Sequence, residues 1–302
     1  MSEKSNIEWT SSTFNPWWGC TKVGPGCDHC YAERDAHRFG TAWGPGAERR
    51  FFGDDHWNKP RLWNAKAAKE QAADPTAQWR VFCASMADVF DNEAPQEVRA
   101  RLWALIRETP NLTWLLLTKR IGNVAKMLPA DWGAGYQNVW LGISVVNQEE
   151  ADRDIPKLLR TPARLRWLSM EPLLGPVGIG EYLPGDRWES SEEPMQDALD
   201  WIVVGGESGP HARPMHPDWA RSLRDQCAAA GVPFLFKQWG EWAPTANFYE
   251  TDPWRDLLPD GTDYTYQRID EFKTAVRVRR VGKKSAGRLL DGVQHDGYPE
   301  AR

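Results

Sequence analysis

Short apolar runs recur along the chain from residue 81 onward, at 81–85, 112–117, 139–145, 165–168, 201–204 and 233–236. They are nearly continuous rather than alternating, which predicts strands buried on both faces. Segments with helical spacing lie between them, 96–109 and 217–230 among these, so the order predicts parallel βα units. A further strand is expected at 7–14 and a helix at 30–39, ended by Gly40. The expected fold class is therefore α/β, a partial or complete parallel βα barrel with seven strands in one direction. Such a barrel is expected over residues 1–240, with insertions at 41–79 and 176–200, and a small C-terminal extension over 241–302 completes the chain. Within the first insertion one short helix is expected near 62–73.

The residues just after each predicted strand narrow the picture. Ser85 and Asp88 come after the second strand, Lys119 and Arg120 after the third, and Ser144 lies at the end of the fourth. Glu171 comes after the fifth, Gly205, Gly206 and Glu207 after the sixth, and Lys237 and Trp239 after the seventh. Parallel barrels place their active sites at the C-terminal ends of their strands. One cavity is expected, into which Ser85, Asp88, Lys119, Ser144, Glu171, Glu207 and Lys237 open together with Cys20, Cys27 and Cys30. Asp88, Glu171 and Glu207 would take polar or ammonium groups, and Lys119, Arg120, Arg213 and Lys237 a carboxylate or phosphate. Asp88, Lys119, Glu171, Glu207 and Lys237 are the candidate catalytic groups, with Arg120, Arg213 and Trp239 against substrate. Bracing of loops and pairing across strand ends are the plainer roles for the same charges.

The candidate chemistry is concentrated between residues 15 and 31. Cys20, Cys27 and Cys30, three of the five cysteines, form a C-x6-C-x2-C pattern turned by Gly24, Pro25 and Gly26. Thiolates so spaced suit a soft metal or an iron–sulfur cluster, and a polar loop offers no packing reason for three cysteines. The chain shows no basic-then-apolar leader and no apolar run of about 18 residues, so a cytoplasmic protein without a membrane partner is expected. In that reducing compartment cysteines serve metals or catalysis more than disulfides. A non-enzymatic zinc module on Cys20, Cys27, Cys30 and His37 is one alternative. It would need His37 to reach across about 10 Å of helix, against metal–ligand bonds of about 2 Å.

Charge changes the picture only locally. A formal net charge of −5 over 302 residues gives no global field for nucleic acid or membranes. Residues 273–288, however, hold Lys273, Arg277, Arg279, Arg280, Lys283, Lys284 and Arg288 without an acid. Alternation at 275–279 predicts an exposed edge strand with its basic side in solvent. Residues 181–200 instead hold Glu181, Asp186, Glu189, Glu192, Glu193, Asp197 and Asp200 against Arg187, which predicts an acidic surface insertion. Among 18 tryptophans, Trp17, Trp18, Trp43, Trp57, Trp239 and Trp242 stand beside Gly, Pro or charged residues, where a ring is expected to line a pocket or stack on a base. A nucleic acid or nucleotide is the expected substrate. A metal-independent barrel hydrolase or lyase acting on nucleic acid is the other alternative, and it leaves the cysteines unexplained.

Three clustered cysteines after the first strand of a parallel barrel resemble the radical S-adenosylmethionine (SAM) enzymes. The loop also stands with Thr118-Lys119-Arg120, the run Ser169 to Pro176 (SMEPLLGP), the run Gly205 to Pro210 (GGESGP) and the run Gly287 to Gly292 (GRLLDG). With these blocks the chain resembles a family of phage and prophage proteins with a three-cysteine motif. The resemblance implies a radical-SAM-like TIM-type barrel in which Cys20, Cys27 and Cys30 hold three irons of a [4Fe–4S] cluster. The fourth iron would bind the amino and carboxylate groups of SAM, and reduction by an electron donor would yield a 5′-deoxyadenosyl radical. His29 takes the place of the aromatic residue that packs on the adenine. Ser85, Ser144, Gly205, Gly206 and Glu207 are the further candidate cofactor contacts, the glycines because they let a ligand approach the backbone closely. Two features depart from the superfamily pattern. Its usual spacing is C-x3-C-x2-C, and its Gly-Gly-Glu comes after the second strand, whereas here Gly205-Gly206-Glu207 comes after the sixth.

Overall fold

In the computed structural model, which describes residues 4–185, 198–244, 253–263 and 275–300, the apolar runs become strands. The first elements are β1 (Ser12–Thr13), β2 (Trp17–Trp18), α1 (Tyr31–Arg38), β3 (Arg50–Phe51), α2 (Asp54–Ala73), β4 (Trp79–Cys83) and α3 (Gln96–Glu108). Next come β5 (Leu112–Thr118), α4 (Ile121–Met127), β6 (Val139–Ser144), α5 (Gln148–Leu159) and β7 (Leu165–Met170). The chain continues through β8 (Trp201–Gly205), α6 (Pro217–Ala229), β9 (Phe234–Gln238), β10 (Trp242–Ala243), β11 (Trp254–Leu257) and β12 (Val276–Arg280).

Seven strands share one sheet in the order β1-β4-β5-β6-β7-β8-β9. The pairs β1–β4, β4–β5, β5–β6 and β8–β9 run parallel. Because β1 and β9 end the order, the α/β fold is a partial parallel βα barrel. Every residue of β6, β7 and β8 is buried, as continuous apolar runs require.

By its contacts the chain falls into two compact units, Met1–Ile143 with Lys157–Trp167 and Glu300–Arg302, and Ser144–Pro156 with Leu168–Pro299. In the first, β1 is shorter than the 7–14 run suggests. Residues 7–10 form a turn, closed by Thr10 N donating to Ile7 O at 3.1 Å, and Trp9 packs its ring 4.8 Å from Phe82 and 5.1 Å from Trp167. Helix α2 starts earlier than the expected 62–73 and runs through Pro60. Burying Trp57, Trp63 and Ala67 on one face outweighs the lost backbone hydrogen bond, since each indole removes about 150–250 Å² from water against about 3 kcal/mol for the proline.

In the second unit, α6 caps its own N-terminus through His216 Nδ1, which accepts from Asp218 N at 3.1 Å. Residues after β12 return to β9, with Phe236 N donating to His295 O at 3.0 Å and Gly297 N to Phe234 O at 3.0 Å, so the outer side of β9 is paired. The expectation of an exposed basic edge strand is corrected by the sheet order. β12 is the middle strand of the three-stranded sheet β10-β12-β11, because Val278 packs with Ala212, Trp242 and Leu257. Of the acidic stretch, Glu181 is exposed and Asp200 half-buried, while Asp186, Glu189, Glu192, Glu193 and Asp197 lie outside the described residues, as does Lys273. Among the described residues no helix is long and apolar enough to cross a membrane.

Candidate functional site

The cysteine loop leaves β1 through Asn15, which is fully buried. Its side-chain amide donates to Ser85 Oγ at 3.0 Å and its carbonyl accepts from Met86 N at 2.7 Å, tying the C-terminal ends of β1 and β4 together. β2 then pairs antiparallel with β3, and Gly19 comes next at φ +117°. A Cβ on Gly19 would stand 2.8 Å from Arg49 Cδ, so this turn admits glycine alone. Cys20 accepts at its carbonyl from Gly44 N at 3.0 Å. A 3-10 turn at Pro25–Cys27 buries Cys27, and Cys30 occupies the N-cap of α1, packed against Ala32, Ala36 and Met86.

Buried charge encloses this loop. Arg120 Nη1 donates to Cys20 Sγ at 3.3 Å and to Asp88 Oδ2 at 3.4 Å, and Nη2 donates to Thr21 O at 2.7 Å. Asp88 accepts from Thr118 Oγ1 at 2.8 Å and from Lys119 N at 3.0 Å. Arg49 pairs with Asp91 at 2.9 Å, each side chain only 2% exposed, and donates to Thr21 Oγ1 at 3.1 Å. Arg99 donates to Val89 O at 2.8 Å and Asp91 O at 2.7 Å. Burial pushes the Cys20 thiol up to about 11, Asp88 adds to the rise, and Arg120 opposes it.

All three thiols are free, and together they form a soft, sulfur-only donor set. Among the described residues no three His, Cys, Asp or Glu side chains gather as a single metal ion requires, and His37 is exposed on α1. A [4Fe–4S] cluster takes one thiolate per iron, and three thiolates on one loop are a donor set of that chemistry.

An aromatic group adjoins the loop at the β2–β3 ribbon. Trp18 lies 5.7 Å from Phe39 and 5.7 Å from Phe52, and Phe52 stacks on His56 at 4.2 Å. The Arg50 guanidinium stands 5.3 Å from Trp18 and 5.7 Å from Phe52, and Phe39 is 61% exposed.

In the second unit, the ends of β7, β8 and β9 meet. Lys237 Nζ donates to both Glu171 oxygens at 2.9 and 2.8 Å, and Gln238 Nε2 donates to Glu171 Oε1 at 2.9 Å. Burial would raise the Glu171 carboxyl, but the Lys237 charge and these hydrogen bonds outweigh it and hold the group below the usual carboxylate range. Gly205 lies against Glu171, and a Cβ on Gly206 would meet Trp239 O at 1.9 Å. Glu207 accepts from Arg213 N at 2.7 Å, Nε at 2.9 Å and Nη2 at 2.6 Å.

The remaining expected residues divide by exposure. Ser85 is half-buried and its carbonyl accepts from Tyr31 OH at 3.0 Å; Ser144 is buried at the end of β6, Lys119 is half-buried and His29 is exposed. Arg120, expected on substrate, has a side chain only 8% exposed and is spent on the cysteine loop. Trp239, expected on substrate, is buried with its indole donating to Leu289 O at 2.8 Å. Trp17, Trp57 and Trp242 are buried too, so only Trp18 and Trp43 of the six singled-out tryptophans keep partial exposure. Their large apolar area is better removed from water than offered to it. Sequence reasoning missed Asn15, Arg49 and Asp91. Asn15 carried a faint signal, a polar residue at a strand end; the other two read as ordinary loop charges.

The family model described as "Protein of unknown function (DUF5131)" matches residues 4–299. The chain belongs to this family. No curated protein matches it. Among solved structures, a spore photoproduct lyase mutant with bound AdoMet and dinucleoside spore photoproduct is similar at 12% identity and a TM-score of 0.37, over 73% of this chain and 62% of that one. Spore photoproduct lyase complexed with dinucleoside spore photoproduct is similar at 12% identity and a TM-score of 0.37, over 72% of this chain and 60% of that one. The chain thus spans less than two thirds of either structure's own length.

Proposed function

We infer that this family member is a radical-SAM-like iron–sulfur enzyme, with Cys20, Cys27 and Cys30 holding a [4Fe–4S] cluster. The observation that carries this reading is the sulfur-only donor set on one loop, its first thiol gripped by a buried guanidinium at 3.3 Å. When bound, the cluster and SAM would supply one-electron, hydrogen-abstracting chemistry that no side chain offers. The chain's own residues hold and orient. Glu171 and Glu207 fix the cations Lys237 and Arg213, which present positive charge to a carboxylate or phosphate.

The proposed substrate is a nucleic acid or nucleotide, and its support differs from the sequence-based expectation. Three arginines of the basic stretch are paired within their own unit: Arg277 holds Asp256 at 2.8 Å, Arg280 donates to Pro210 O at 2.6 Å, and Arg288 donates to Lys237 O at 3.0 Å. The support comes instead from exposed Phe39 and the Arg50-capped rings of Trp18 and Phe52, which suit stacking against a base.

Anaerobic reconstitution, with iron and zinc analysis and EPR after reduction with and without SAM, tests the cluster. About four irons per chain are expected, lost in Cys20→Ala, Cys27→Ala and Cys30→Ala but kept in Cys83→Ala and Cys227→Ala. Stoichiometric zinc with no iron uptake would overturn the reading.

A further inference from the structure

We propose that Arg120 is a positioning residue that fixes Cys20 and, through a charged N–H to its sulfur, raises the reduction potential of the cluster; the inference rests on the cluster-bearing function proposed for the three cysteines. Three observations converge on it. The guanidinium is nearly sealed from solvent, and its plane serves a sulfur, a carboxylate and a carbonyl at once: Cys20 Sγ at 3.3 Å, Asp88 Oδ2 at 3.4 Å and Thr21 O at 2.7 Å. A rigid fork meets such a set where a lysine ammonium does not.

The anchor is itself fixed. Arg120 N donates to Thr118 Oγ1 at 2.8 Å, and the same hydroxyl donates to Asp88, so the arginine is held at the C-terminal end of β5 by backbone and side chain. Arg49 holds Thr21 through a second contact, to Oγ1 at 3.1 Å. The residue after the first ligand is therefore gripped by two guanidiniums at two atoms, while Gly19 and Gly44 set the backbone around Cys20.

Hydrogen bonds to ligand sulfurs and nearby charge are the means by which a protein sets a cluster's potential. Reduction adds one negative charge to the cluster. A guanidinium that keeps its proton stabilises the reduced form more than the oxidised one, so losing it lowers the potential.

The test compares Arg120→Gln and Arg120→Lys with wild type after anaerobic reconstitution, by potentiometric titration followed by EPR. At a fixed potential Arg120→Gln is expected to lower the ratio of reduced to oxidised cluster about tenfold, about 59 mV for one electron. Arg120→Lys keeps the charge without the fork and should shift the ratio less. Folding is checked on the apo proteins by protection of Cys83 and Cys227 from iodoacetamide, since both are fully buried. If Arg120→Gln fails that check, Arg120→Lys must still lie below wild type. A folded variant set with the wild-type ratio at every potential overturns the inference and leaves the cluster standing, and so do equal shifts in the two variants. Wild type that takes up no iron overturns both.

Discussion

The arginines of the cysteine loop and those of β12 face opposite circumstances. Arg49, Arg99 and Arg120 lie far apart in the sequence, yet the structure buries all three against carboxylates, carbonyls and a thiol. Arg277, Arg279 and Arg280 form a conspicuous basic run, yet Arg277 is 41% exposed, pairs with Asp256 and lies over the Trp254 ring at 4.2 Å. A run of like charge thus lies on the solvated side of a strand, whereas arginines far apart in the sequence meet buried carboxylates and carbonyls around the cysteine loop. Burying an ion is costly unless every donor finds an acceptor. Each arginine of the first group donates to two or more acceptors from a buried position, while Arg277 of the second remains partly solvated.

The largest difference should appear in stability. Arg49→Ala strands Asp91 in the interior and should cost about 3–5 kcal/mol, whereas Arg277→Ala uncovers Asp256, as buried as Asp91 but beneath a half-exposed arginine whose place water can take, and should cost about 1–3 kcal/mol. Urea denaturation measures both, and equal losses would break the contrast.

Alkaline pH should sharpen it next. Burial raises the Cys227 thiol from 9.0 to about 12, raises Cys20 to about 11 and lifts Cys83 further. These folded thiols prefer their protons, so their contribution is complete below pH 9.0 and is lost as pH rises toward their folded values. Each removes about 1.4 kcal/mol per pH unit within its window. Cys227→Ala should flatten the decline between pH 9.0 and about 12; an unchanged slope in denaturation curves would count against burial as the cause.

Smaller effects concern binding. Phe39→Ala should weaken single-stranded nucleic acid binding by about 1–3 kcal/mol if one base stacks there, and Arg50→Ala should reduce the salt slope by about one. Fluorescence titrations across a salt series read both, and wild-type affinity in Phe39→Ala would remove the stacking surface from the proposal. The smallest effect is expected from neutralising Arg277, Arg279 and Arg280 together, which should leave the salt slope unchanged because Arg277 and Arg280 already have internal partners. A flattened slope would reinstate the basic strand as a phosphate contact.

Continuous apolar runs determined six of the seven strands and their parallel order, because burial on both faces suits short unbroken apolar segments, whereas β1 proved to be only Ser12–Thr13. The C-x6-C-x2-C spacing of the loop proposed to hold the cluster is likewise legible in the sequence, since it depends on neighbours a few residues apart. Tertiary structure alone decided what surrounds that loop. Arg49 reaches Asp91 across 42 positions and Arg120 reaches Cys20 across 100, distances over which no local periodicity carries information. It also decided which tryptophans are hidden and that β12 lies between two strands, because those outcomes depend on where distant strands come to lie. Periodicity records which face of a segment is buried; the partner that buries it is set by the path of the whole chain.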